Sequence, residues 1–200
     1  MEKDAQAKLI AAATPLFAQK GFTAVTIREL AEAAEVNVAA ISYYFGGKEA
    51  LYQAVLEGQI IPLSQVLRLT EGSLPLPPEE RLAVYAKNIA SIHRQRPYFV
   101  RIMLSELTNP TNCLEIVVRY IEPVYQFLYA ALQDGVRDGH FKPDLDIGHA
   151  VLSLVGILNF YFIGQPVARK FLPMSEHSDI AYTEQAFAIF LNGVRRKGHE

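Results

Sequence analysis

Residues 26–47 read TIRELAEAAEVNVAAISYYFGG, and this stretch decides the fold. Thr26 and Glu29 stand three apart at the head of an apolar-periodic run. At that spacing a Thr hydroxyl and a Glu carboxylate satisfy free backbone N–H groups reciprocally, a capping box. It opens a short helix to about Ala34. Asn37 is a second cap residue and starts another short helix through Tyr44, which Gly46 and Gly47 end.

Working outward, Leu9, Ala12, Ala13, Leu16 and Phe17 share one face of a helix from about Asp4 to Lys20. Gly21 follows as the left-handed stop after a cationic last turn. Downstream, a longer helix starts near Lys48 and runs into the late sixties, with a kink expected at Pro62. Two short helices joined by a tight turn and braced by a preceding helix describe a helix-turn-helix unit. In its second helix Val38, Ile41 and Phe45 fall on one side at about 100° per residue. Ala39, Ala40 and Tyr43 point the opposite way, with Asn37 and Tyr44 on the flank. That outer face is small enough to enter a DNA major groove closely, and its Ala methyls can touch thymine methyls.

The helical period continues beyond this unit, and strand alternation is absent. Residues 70–78, Thr-Glu-Gly-Ser-Leu-Pro-Leu-Pro-Pro, form a linker-like stretch. Helical patterns then cover roughly 79–95, 97–108, 112–138, 145–164 and 179–197. Pro97 fits the first turn of its helix, where a missing N–H costs nothing, and Pro123 predicts a kink inside another. The expectation is an all-α protein of about nine helices. An N-terminal three-helix helix-turn-helix domain occupies 1–55, and a larger helical domain 56–200.

Composition bounds the function. The chain has 200 residues, half of them apolar, a single Cys, no Trp and a formal charge of −2. The length is ample for a buried core. One Cys excludes a disulfide scaffold, and with no apolar run behind Met1-Glu-Lys-Asp it points to the cytoplasm. Ile147 to Ala168 is a 22-residue stretch without formal charge, long enough to span a bilayer. Gly148, His149, Ser153, Asn159, Gln165 and Pro166 interrupt it, which favours a buried interface helix and no membrane partner. The five histidines show no metal-binding spacing, and Cys113 has no evident base beside it. Gly46-Gly47-Lys48 lacks the upstream glycines of a phosphate loop. No catalytic residue, metal site or cofactor is expected, and the chain does not read as an enzyme.

Residues 9–52 resemble the DNA-binding region of tetracycline-repressor-type (TetR/AcrR) regulators. The matching run is Ala13, Leu16-Phe17, Gly21-Phe22, Thr26-Ile27, Leu30-Ala31, Ala34, Val36, Ile41, Tyr44-Phe45, Lys48-Glu49 and Leu51. Residues 100–172 resemble, through Arg101-Ile-Met-Leu-Ser-Glu-Leu, Glu122-Pro123 and the apolar run ending near Phe171-Leu172, the C-terminal domain of the CecR-type subgroup. The sequence departs from the family pattern at Glu35, where Gly is usual in the turn, and at Ser42, where Tyr is usual. A non-Gly residue at positive φ costs about 1 kcal/mol.

Carried over by position, the resemblance implies phosphate contacts from Thr26, Tyr44 and Lys48. Arg28 is the best candidate for a guanine contact, since its fork matches the O6/N7 edge. Asn37, Ala39, Ala40 and Tyr43 face the groove. Capping by Thr26 is additional to any contact, while packing is the competing role for Tyr44. The acidic balance holds locally too, with five basic and seven acidic groups in residues 1–57 and none of either sign in the recognition helix. Binding then leans on hydroxyls, backbone N–H groups and helix N-termini, and its salt dependence is expected to be shallow.

One short recognition helix reads too few bases, so double-stranded operator DNA calls for a symmetric homodimer. Gly148, Leu152, Val155, Gly156 and Asn159 recur at helical spacing, and Tyr182, Ala186, Ile189, Phe190 and Gly193 give a similar face on the last helix. In this class the two helices build a four-helix bundle with the partner; core packing within one subunit is the competing reading. The class also implies a small-molecule effector pocket. Tyr98, Arg101, Glu106, Tyr120, Tyr125, Phe127 and Asn159 are its candidates, with Arg101 and Glu106 as a polar pair that burial would oblige to find partners. Aromatics at this spacing are also ordinary core, and an Arg ordinarily lies at the surface. The implied function is a ligand-responsive transcriptional regulator, by class default a repressor.

Overall fold

The computed structural model describes residues 2–68 and 76–196, and among these there are nine helices and no strand. They are α1 (Glu2–Ala24), α2 (Ile27–Ala33), α3 (Val38–Phe45), α4 (Lys48–Arg68), α5 (Pro78–Gln95), α6 (Phe99–Thr108), α7 (Leu114–Arg137), α8 (Ile147–Ala168) and α9 (Ser178–Val194). The linker read at 70–78 lies outside the described residues up to 75, as does the expected end of the last helix at 197.

The expected boundaries hold where a named cap sets them. Gly21 breaks α1 with φ 75° and ψ 167°. Pro97 is a correction: α6 begins at Phe99, whose N–H bonds the Arg96 carbonyl, so the proline shapes the turn ahead of the helix. Its fixed φ suits that turn as well as a first helical position. Helices α4 and α7 run through Pro62 and Pro123 without a break.

The chain divides into two compact units, one of residues 1–62 with 96–120, the other of 63–95 with 121–200. In the first, α1 packs against α2, α3 and α6. Leu9, Ala13, Phe17, Leu30, Ile41, Leu51, Val55 and Ile60 fill its core. The Tyr52 ring meets Phe17 and Phe22, each at 4.9 Å between centroids.

In the second unit α8 packs on α9 and α5, and α5 on α9. Leu82, Tyr85, Ile89, Val151, Leu154, Leu158 and Ala186 are buried there. Phe141 sits flush on α7, where a Cβ at Gly135 would lie 2.1 Å from its ring, so only glycine admits it. Arg195 clamps Glu79 through two hydrogen bonds of 2.7 and 2.6 Å. Helix α8 buries Ala150, Val151, Leu154, Leu158 and Tyr161. It is long and apolar enough to cross a membrane by composition. Its other face exposes Leu152, Phe160, Ile163 and Val167.

Candidate nucleic-acid interface

The capping box forms as its spacing dictates. The Glu29 N–H donates to Thr26 Oγ1 at 3.2 Å, and the Thr26 N–H donates to Glu29 Oε2 at 2.8 Å. Lys20 Nζ reaches Glu29 Oε1 at 2.6 Å. That ammonium, together with the Thr26 donors, holds the carboxyl down to about 2. Lys20 therefore braces the start of α2.

The turn between α2 and α3 is a Schellman motif. The Val36 N–H bonds the Ala31 carbonyl at 2.9 Å, and the Glu35 N–H bonds that of Glu32 at 3.0 Å. The motif requires a left-handed residue at the position Glu35 occupies. Glu35 adopts φ 53°, alone among the described non-glycine residues. The turn therefore keeps its geometry and carries the backbone strain expected from its sequence. Lys8 Nζ lies 3.4 Å from the Glu35 carboxylate.

Asn37 caps α3, its Oδ1 accepting the Ala39 N–H at 2.9 Å. Gly46 ends the helix with φ 86°. Ile41 is buried and Phe45 and Tyr44 half-buried, which seats α3 against the bundle. Val38 departs from the expected inner side. It is 45% exposed, and with Ala39, Ser42 and Tyr43 it makes the outward face. Ala40 is half-buried. The physical reason is α3's short length: Val38 lies in its first turn, beyond the reach of the core that covers Ile41. The Tyr43 ring, 78% exposed, stands edge-on to Tyr44 at 4.9 Å.

Thr26 and Arg28 are exposed at the head of α2, and no ion pair to Arg28 occurs among the described residues. Lys48 is more committed. Its ammonium donates to the Phe22 and Val25 carbonyls, both at 2.9 Å, and lies 4.3 Å from the centre of the Phe22 ring. It ties the start of α4 to the end of α1 and the loop before α2, leaving one N–H for any further acceptor.

The residues named for an effector pocket are not gathered in either unit. Tyr98, Arg101, Glu106 and Tyr120 belong to the first unit, and Tyr125, Phe127 and Asn159 to the second. Of the polar pair Arg101 and Glu106, only Glu106 is buried and so obliged to find partners. Arg101 is exposed, whereas Glu106 is fully buried and accepts from Tyr52 Oη at 2.9 Å, the Thr111 N–H at 2.8 Å and Thr111 Oγ1 at 2.9 Å. Three neutral donors meet the obligation that burial imposes, and Arg101 is free to stay in water. Glu106 thus joins α4, α6 and the loop after α6, and burial beside it pushes the Tyr52 hydroxyl pKa up.

Sequence reasoning missed the partner of Asn159. His93 Nε2 lies 2.8 Å from Asn159 Oδ1, and its ring stacks on Phe162 at 3.8 Å. Burial lowers the His93 pKa to about 4, so the imidazole is neutral at pH 7. Tyr85, also buried, is pushed up to about 12. The signal was present: Leu82, Ala86, Ile89 and His93 follow one another at helical spacing on one face of α5.

Of the residues named for a dimer face, Leu152, Gly156 and Ile189 are exposed. Ala186 and Phe190 are buried in their own unit, so for these two the packing is within the subunit. Tyr182 donates to the Ile157 carbonyl at 2.6 Å, and Gly148 and Val155 are half-buried.

A capped, braced pair of short helices presenting an uncharged outer face defines a helix-turn-helix protein. The comparisons place it further. The family model described as bacterial regulatory proteins of the tetR family matches residues 9–55, and that described as the tetracyclin repressor-like C-terminal domain matches residues 78–185. The chain belongs to the TetR family of transcriptional regulators.

It is similar to the HTH-type transcriptional regulator YttP of Bacillus subtilis strain 168, with 26% identity over 202 residues, covering 99% of this chain and 97% of that protein. A shorter match, 52% identical over 52 residues, covers 26% of this chain and 23% of the HTH-type transcriptional dual regulator CecR of Shigella flexneri. In fold it resembles the ketosteroid transcriptional regulator KstR2 of Mycobacterium tuberculosis, with a TM-score of 0.77 and 19% identity, covering 96% of this chain and 95% of that one.

Proposed function

We propose that this protein is a cytoplasmic repressor that binds a palindromic double-stranded operator as a homodimer and is released by a small-molecule effector. The observation that carries the reading is the outward face of α3, capped at both ends and free of charge. Residues 1–55 hold the DNA-reading part and 56–200 the effector and dimer functions. Thr26, Tyr44 and the remaining N–H of Lys48 contact phosphates, Arg28 reads a guanine, and Asn37, Ala39 and Tyr43 face the groove, with the half-buried Ala40 at its margin.

The exposed residues Leu152, Gly156 and Ile189 meet a second copy, with Gly148, Val155 and Tyr182 at the margin and Ala186 and Phe190 supporting them from within. Effector binding favours a dimer whose recognition helices no longer match adjacent major grooves, about 34 Å apart, and affinity falls. Its relatives are regulators, which supports a regulatory rather than catalytic role.

Genome-wide binding-site selection with the purified protein, followed by displacement with candidate ligands, tests this. The expected result is a small set of palindromic sites, released by at least one ligand. Failure to select any specific site overturns the proposal.

A further inference from the structure

We infer that α3 reads thymine methyl groups, so that the bases it faces in each operator half-site are A·T pairs, with guanine recognition confined to Arg28 on α2. The inference rests on the DNA-binding reading above and specifies its substrate.

The outward face of α3 consists of Val38, Ala39, Ser42 and Tyr43, and α3 contains no charged residue. In the major groove guanine shows two acceptors, O6 and N7, which Arg or Lys reads; cytosine shows an N4 amino donor, which Asp or Glu reads. None of those four residue types stands on α3. A hydroxyl such as Ser42 bonds donors and acceptors alike and discriminates little. Bidentate reading of adenine needs both an amide oxygen and an amide nitrogen. The Asn37 oxygen already accepts the Ala39 N–H at 2.9 Å, which leaves only its N–H groups as donors, and a donor meets N7 of guanine and adenine alike.

Positive discrimination by α3 therefore falls to apolar contact. Val38, 45% exposed, and the neighbouring Ala39 place methyl groups side by side on the surface. The complementary apolar feature of the groove is the thymine C5-methyl. Both side chains are short, and Gly46 and Asn37 fix the helix ends, so the backbone can approach closely enough for carbon–carbon contact. Arg28 is exposed, and its fork matches the guanine edge. The half-site then has an A·T-rich centre under α3 and a guanine beside it under the start of α2.

The test is selection from a random-sequence duplex library with the full-length protein, followed by replacement of each selected thymine by deoxyuridine, which removes only the methyl group. The expected selected site has an A·T-rich centre. Deoxyuridine should weaken binding roughly three- to fivefold at each contacted thymine, the share of one buried methyl. In Val38→Ala the sensitivity at one of those positions should disappear while the others persist. A selected centre of G·C pairs, or affinity within twofold at every deoxyuridine, overturns the inference and leaves the DNA-binding reading standing. Selection of no sequence at all overturns both.

Discussion

Helices α3 and α8 share a property and use it differently. Neither contains a charged residue, over 8 residues in one and 22 in the other. Both bury one face and expose apolar groups on the other. On α3 those groups are Val38 and Ala39 beside the Ser42 hydroxyl and the Tyr43 ring; on α8 they are Leu152, Phe160, Ile163 and Val167. The extent of the apolar surface differs: two aliphatic side chains in the first turn of α3, against four large apolar ones spread over about four turns of α8. A stiff, polar groove admits small methyls and hydroxyls, whereas a broad patch of large apolar side chains needs another protein surface to cover it. In the reading proposed above, the narrow face of α3 meets DNA and the broad apolar patch of α8 meets a second copy.

The largest effect should come from breaking the α8 face. Phe160→Asp alters a side chain that is 67% exposed, so the subunit should fold while the homodimer dissociates. Sedimentation should then report a monomer, with operator affinity lowered roughly a hundredfold. A variant that remains a dimer assigns the α8 surface another role.

The buried side of α8 gives the next effect. His93, held against Asn159 and Phe162, is lowered from 6.5 to about 4. Between those values the unfolded chain binds a proton that the folded chain excludes, so this group withdraws stability as pH falls from about 6.5 to 4. The loss reaches up to about 3 kcal/mol and levels off below that window. Urea denaturation across this range should show a smaller decline for His93→Asn than for the wild type.

On α3, Tyr43→Ala should weaken operator binding about tenfold in a gel shift, the worth of one good groove contact. The melting temperature should be unchanged, because the ring is 78% exposed. The smallest effect is expected at the turn into α3. Glu35→Gly relieves a left-handed residue at φ 53° and should raise stability by about 0.5 kcal/mol in chemical denaturation, net of the larger unfolded-state entropy of glycine.

The helices were legible in sequence because their ends carry chemical punctuation: Thr26 with Glu29, Asn37, Gly21 and Gly46. Local backbone bonding at those positions depends on neighbours within four residues. Even the strained Glu35 could be read, since a Schellman turn fixes its φ whatever residue fills it. Val38 was misplaced because helical periodicity assigns a side but not how far the core extends along a short helix. Arg101 and Glu106 were legible as polar groups among apolar neighbours, but which of them is buried was not. The buried Glu106 carboxylate is satisfied by neutral donors on Tyr52 and Thr111, the first of them 54 residues away. Such long-range satisfaction has no local sequence signal. His93 and Asn159 each lay on a readable helical face, but nothing local links the two across 66 residues.

In the proposed reading, the DNA-facing surface works by close contact rather than by ion pairing. Lys8 and Lys20 are engaged by Glu35 and Glu29, and Lys48 gives two of its donors to carbonyls. The most direct measurement is operator affinity as a function of salt concentration. With two or three phosphates neutralised per half-site, the log–log slope should be about −4 to −5 for the dimer. A slope near −9, corresponding to about ten phosphates, would contradict the account.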